Sequence, residues 1–188
     1  RYDATVPRNP ETGIILGAEP RELGPEDAPN AVLFVHGFSG TGNNYNDLPD
    51  RVAAAGWRAR VMLLPGHGTS PFSFEKTTAE ELLSAVIQEL KALRDRHKKV
   101  VLMGHSMGGA LATLAAGQMP LDGLMLAAPY YSVTFKWYYL LPAEQWAHMF
   151  SPLIRWIYSP AENQPVNRRE VRSQILSYPW IPTKAFLT

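Results

Sequence analysis

The chain has 188 residues, 46% of them apolar and 19% charged, which suits one globular domain with a sizeable core and excludes intrinsic disorder. The formal charge is +1 with acids and bases interspersed, so no basic stripe points to nucleic acid. Cysteine is absent and the 5 histidines are scattered, which excludes disulfides and Cys/His zinc sites; no metal or other cofactor is expected.

No apolar run approaches the ~20 residues of a membrane-spanning helix, so a soluble protein is expected, with the cytoplasm favoured. The chain opens on Arg1 rather than Met, so removal of an upstream stretch is expected.

Residues 1–29 are rich in Pro, Gly and acids, with "GIILGAEP" as one short strand in a loop. "AVLFVHG" (31–37) is a continuous apolar run stopped by glycine, the pattern of a strand buried on both faces of a parallel sheet. "NNYNDLPDRVAAAG" reads as a helix capped by Asn43 or Asn44 and closed by Gly56. "WRARVMLL" is the next strand, followed by the loop "PGHGTSP" (65–71).

"TTAEELLSAVIQELKALRDRHK" is the clearest helix. Thr78 and Glu81 form a capping box, and Leu82, Leu83, Val86, Ile87, Leu90 and Leu93 recur at helical spacing on one face. Strand "KVVLMG", helix "MGGALATLAAGQM" and strand "GLMLAAP" follow. Strands alternating with helices imply right-handed crossovers, hence an α/β fold with a mostly parallel sheet and helices on both faces.

The texture changes after Pro129. Residues 130–158 hold half of the chain's aromatics, interspersed with prolines, and read as short helices and turns. "NRREVRSQILSY" is one more amphipathic helix.

One pattern carries chemistry. Gly104-His105-Ser106-Met107-Gly108 is a G-x-S-x-G sequence between a buried-type strand and a helix of small residues. A serine on such a turn has strained backbone angles, so its neighbours two residues away must lack bulk. The helix that starts beneath it directs its N-terminal dipole toward developing negative charge. A second piece is "HGFSG" (36–40), after the first confident strand. A tetrahedral intermediate needs two donors at its oxyanion, and the backbone N–H groups of Phe38 and Met107 are the candidates. His36 then serves the loop structurally, beside Gly37.

"HGFSG", "LPGHGTS" and "GHSMGG", in this order and spacing, resemble the α/β-hydrolase fold, and within it the bacterial monoacylglycerol lipase and carboxylesterase branch. The resemblance covers about residues 31–129. It implies an eight-stranded, mostly parallel sheet, a Ser–acid–His triad, and a cap inserted after the sixth strand. On that reading residues 1–129 are the N-terminal part of the core and 130–188 the cap. Ser106 is the nucleophile, Phe38 and Met107 are the oxyanion donors, and Gly104, His105, Gly108, His36 and Gly37 support the turn.

The triad is where the sequence departs from the family. No histidine follows His148, which lies among the cap aromatics. His105 adjoins Ser106 and His67 lies in the "GHG" loop, both in structural roles by resemblance. His97 ends a charged helix and is expected in solvent. Asp122 precedes a strand, at the wrong end of the sheet, and Glu144, Glu162 and Glu170 read as surface charges. A strand "GLMLAAP" left at the sheet edge would be bare and apolar, which proteins avoid. Further polypeptide carrying two strands, an Asp or Glu and a histidine is therefore expected as a complementary C-terminal segment or chain.

The expected activity is hydrolysis of carboxylic esters of lipophilic acyl groups through an acyl-enzyme on Ser106. Phe38, Tyr130, Trp137, Trp146 and Phe150 are candidate pocket residues. Exposed cap aromatics would suit contact with a membrane or micelle. The alternatives are a thioesterase, a lactonase or a carbon–carbon hydrolase of the same architecture, or a non-catalytic ligand-binding module.

Overall fold

Three strands form the centre of a sheet because their residues find cover on both faces. In the computed structural model, which describes residues 6–132, 141, 143–159 and 180–183, these are β2 (Asn30–Val35), β3 (Arg58–Val61) and β4 (Lys99–His105). β1 (Arg21–Leu23) and β5 (Gly123–Ala127) complete a five-stranded sheet of order β1-β3-β2-β4-β5. β1 runs antiparallel to β3, and every other pair is parallel. Between β2 and β4 the register matches Val35 with Gly104, so both strands end at the same rim.

The helices divide between the faces. α3 (Ala79–Arg96) and α4 (Met107–Ala116) bury Val86, Leu90, Leu93 and Leu111 against Leu33, Val35, Val100 and Leu102. α1 (Leu48–Ala54) and Tyr45 cover the other face at Val32, Phe34 and Val61. α3 starts as its sequence predicts: the Thr78 hydroxyl accepts the Glu81 N–H at 3.2 Å, and the Glu81 carboxylate accepts the Thr78 N–H at 2.8 Å.

Three local expectations are corrected. "GIILGAEP" forms only an isolated bridge, Arg8 to Ile15, because Gly13 (φ 68) and Gly17 (φ 87) turn the chain on either side; the strand of this region is β1. "NNYNDLPDRVAAAG" splits into a 3-10 turn, Gly42–Tyr45, capped by Thr41, and then α1. Pro49, which has no N–H, fits only the first turn of a helix and so fixes where α1 begins. His97 is buried, not solvated: its Nδ1 donates to the Ala28 carbonyl at 2.7 Å and ties the end of α3 to the strand-entry loop. The sequence also gave no warning of α2 (Pro71–Lys76), headed by Ser70, whose hydroxyl accepts the Ser73 N–H.

Beyond β5 the described residues form α5 (Ala143–Phe150) and an antiparallel ribbon of β6 (Trp156–Tyr158) with β7 (Trp180–Pro182), in place of helices and turns alone. The proposed helix in "NRREVRSQILSY" and the acids Glu162 and Glu170 lie outside the described residues. Among the described residues no helix is long and apolar enough to cross a membrane.

Candidate active site

Ser106 sits between β4 and α4 with φ 54° and ψ −121°, a backbone conformation that side-chain-bearing residues rarely adopt. The turn is possible because its neighbours have no Cβ. One added at Gly104 would strike the backbone of Gly108, and one at Gly108 would strike the carbonyls of Val35 and His36. The peptide of Ser106 is held on both sides by the end of β5. Its N–H donates to Ala127 O at 3.0 Å, and its carbonyl accepts the N–H groups of Gly109 and Tyr130 at 2.9 and 3.0 Å. Serine at a helix N-cap ordinarily bonds the first turn, but the Ser106 side chain makes no such bond.

The "HGFSG" loop lies directly opposite. A Cβ built on Gly37 would stand 3.0 Å from the Ser106 Cβ. The loop turns tightly, with Gly40 N–H donating to Gly37 O at 3.1 Å and Ser39 at φ 52°. His36 fixes it from below: Nδ1–H donates to Gly37 O at 2.9 Å, and Nε2 accepts the Leu64 N–H at 3.0 Å. That pattern defines a neutral tautomer. Burial, helped by neighbouring His67, pushes its pKa down to about 3. The His67 ring stands 5.0 Å from that of His36 and donates from Nδ1 to Pro65 O at 2.9 Å; burial lowers its pKa to about 4.

Phe38 and Met107, the two residues whose amides were singled out, therefore flank Ser106 from the loop and from the first position of α4. A first helical N–H has no acceptor within its own helix. The Phe38 side chain packs in a small cluster with Ile15, Ala18 and Phe74. Tyr45, which the sequence reading passed over, braces this rim: its hydroxyl donates to Val35 O at 2.6 Å and lies 3.2 Å from Met103 O. A single tyrosine in a turn carries no signal for such a contact.

The histidines divide clearly. His36, His67 and His97 are buried and bonded to backbone. His105 has a buried, unpartnered Nδ1 facing Gly37, and burial lowers its pKa. His148 is exposed on α5. Among the described residues none hydrogen-bonds the Ser106 hydroxyl. Asp122 accepts the Val100 N–H at 2.8 Å at the entry of β4, roughly 20 Å along the strand from Ser106.

Of the candidate pocket residues, Tyr130 is half exposed just past β5, and Trp146 and Phe150 stack one turn apart on α5, centroids 5.5 Å apart. Trp137 lies outside the described residues. Among the described residues no cluster of His, Asp and Glu could hold a metal.

The family model described as serine aminopeptidase, S33 (Hydrolase_4) matches residues 26–184. The chain belongs to this family. Among its relatives, a thermostable monoacylglycerol lipase of Bacillus sp. (strain H-257) is 35% identical over 107 residues, 57% of this chain and 42% of that lipase. A mouse sn-1-specific diacylglycerol lipase is 37% identical over 93 residues, 48% of this chain and 29% of that protein. The chain spans less than half the length of the curated relatives it matches. A solved structure from work on the metagenome-derived lipolytic enzymes LipS and LipT superposes with TM-score 0.74 at 25% identity, over 93% of this chain and 67% of that one. A soluble variant of the Saccharomyces cerevisiae monoglyceride lipase shares the fold, with TM-score 0.69 at 15% identity over 89% of this chain and 62% of that one. The family member described here thus has the α/β-hydrolase fold, and its sequence relatives include lipases.

Proposed function

We propose that this chain carries the nucleophile and oxyanion side of a hydrolase acting on carboxylic esters of lipophilic acyl groups, of the monoacylglycerol lipase and carboxylesterase kind. The strained turn at Ser106, packed against the Gly37 loop, carries the reading. A hydroxyl not used for capping, at a helix N-terminus and against the loop that carries Phe38, suits acyl transfer, with the Phe38 and Met107 amides as the donors this reading assigns.

In this mechanism Ser106 Oγ attacks the ester carbonyl and loses its proton to a histidine. The Phe38 and Met107 N–H groups stabilise the oxyanion, and the alcohol leaves with that proton. Water then attacks the acyl-enzyme and returns the free acid and Ser106. A carboxylate must orient the histidine, and none of the 5 histidines here takes that place. The reading therefore requires that histidine from polypeptide other than these residues. The lipase relatives favour a lipophilic acyl group, and the aromatic segment after β5 supplies apolar surface to receive it.

Initial rates of the natural protein on monoacylglycerols, p-nitrophenyl esters, acyl-CoA, lactones and aminoacyl anilides test the substrate class. Esters should be cleaved with the highest kcat/KM. A clear preference for thioesters, lactones or anilides would replace this assignment with another chemistry on the same turn.

A further inference from the structure

Two unrelated sets of contacts meet on α2. Toward the core, the buried Phe74 packs edge-on against Phe38, centroids 4.9 Å apart, and lies tilted against His67 at 4.4 Å. His67 in turn abuts His36, which grips Gly37 and Leu64. The loop facing Ser106 is thus wedged from behind by one side chain of a six-residue helix.

On its other side α2 is held by the β6/β7 ribbon, which falls in the segment expected to form the cap. Glu75 accepts two N–H groups of Arg155, from Nε at 3.0 Å and Nη2 at 2.8 Å. The Arg155 guanidinium also lies over the rings of Phe72 and Trp156, and those rings pack edge-on at 5.1 Å. The ribbon holds Arg155 in turn, through the Thr183 N–H on its carbonyl at 2.9 Å. The Glu75 side chain is only 11% exposed, whereas Arg155 is 62% exposed. A carboxylate withdrawn that far from water is costly to leave without its cation.

We propose that α2 is a positioning element for the reaction, and that Arg155 and Glu75 are the contact by which the ribbon sets it. A helix this short has little stability of its own, so its placement depends on what grips it. With the ion pair made, Phe74 stays against Phe38 and the loop keeps its amide at the oxyanion position. With the pair broken, Glu75 turns toward solvent and Phe74, its neighbour in the chain, moves with it. Displacements of about 1 Å matter at an oxyanion site. The proposal rests on the oxyanion role given to Phe38 above.

The test uses the natural protein, well below its melting temperature, with a p-nitrophenyl ester and a fluorophosphonate probe. Glu75→Gln and Arg155→Gln should each lower kcat roughly threefold to tenfold with KM changed less than about twofold, and the double variant should be no worse than either. The exchanged pair, Glu75→Arg with Arg155→Glu, should recover part of the loss. Phe74→Leu should lose kcat alike with the ion pair intact. The inactivation rate should fall in the same ratio as kcat, since the probe's oxygen uses the same amides. Added salt should bring wild-type kcat toward the variants' and leave theirs unmoved, because Arg155 is exposed enough to be screened. Single variants with unchanged kcat and unchanged inactivation overturn the proposal, whatever happens to their melting temperature. A wild-type protein that the probe never labels is a different failure: it removes the role of Ser106, and the proposal falls with it.

Discussion

Ser106 combines a rarely adopted backbone conformation with an N-cap hydroxyl that bonds nothing in the first turn of its helix. Strain of order 1–3 kcal/mol is retained there, with a φ of 54° and an unused capping hydroxyl. The surrounding residues hold that state in place: His36 and Tyr45 below, Ala127 and Tyr130 beside it. The G-x-S-x-G pattern made the turn legible, because glycine is the only residue that fits where backbones nearly touch. The brace at Tyr45 was not legible, since its hydroxyl bridges two strands, at Val35 and at the distant Met103, that meet only in the folded sheet. His97 was misread for a related reason: a histidine ending a charged helix looks solvated until tertiary packing brings Ala28 over it. His36 and His67 make a pH prediction. Their pKa values, about 3 and about 4, lie below the ordinary 6.5, so the unfolded chain binds more protons than the folded one below pH 6.5. Their contribution to stability is complete above that pH and is lost as pH falls toward 4 and then 3. From pH 6 to 5 the slope should approach about 1.4 kcal/mol per pH unit for each histidine. Denaturant midpoints across pH 5 to 7, with His67→Phe for comparison, check this: the variant's slope should be shallower than the wild type's by about 1 kcal/mol per pH unit. Equal slopes would show that these rings are not held neutral.

The element with the strongest local signal was read correctly, and most misread ones have a weaker signal or depend on residues distant in sequence. α3 carries its own instructions in Thr78, Glu81 and its apolar face: Leu82, Val86, Leu90 and Leu93 are buried as their spacing implied, while Leu83 and Ile87, at the margin of that face, are only partly covered. Thr78→Ala should cost about 1 kcal/mol, seen as a lower denaturant midpoint with unchanged ester hydrolysis. A loss of activity without a loss of stability would mean that the start of α3 matters to the site. α1 was started too early because the cap residue lay at Thr41 and the helix itself waited for Pro49. α2 was missed because "PFSFEK" is short and helical only between Ser70 and its tertiary anchors Phe74 and Glu75. The β6/β7 ribbon pairs Tyr158 with Trp180 across more than twenty residues of sequence, and aromatic content alone does not encode such a pairing.

For the molecule as a whole, the alternation of strands and helices was enough to give a mostly parallel sheet covered on both faces, and the candidate site lies at the rim where β2 and β4 end together. This is where open α/β sheets place ligands, because helix N-termini and loops converge beyond the carboxyl ends of their strands. At the far edge, β5 leaves Leu124, Met125 and Leu126 between 38% and 54% exposed, the apolar edge that the sequence implied. The G-x-S-x-G pattern marks a nucleophile but not its base, because a nucleophile's position does not specify which histidine serves it. The most direct measurement is mass mapping of the natural protein after reaction with a fluorophosphonate. The account predicts one adduct, on Ser106, with ester hydrolysis lost in proportion to labelling and absent in Ser106→Ala. An adduct on another residue, or full hydrolysis by Ser106→Ala, would contradict it.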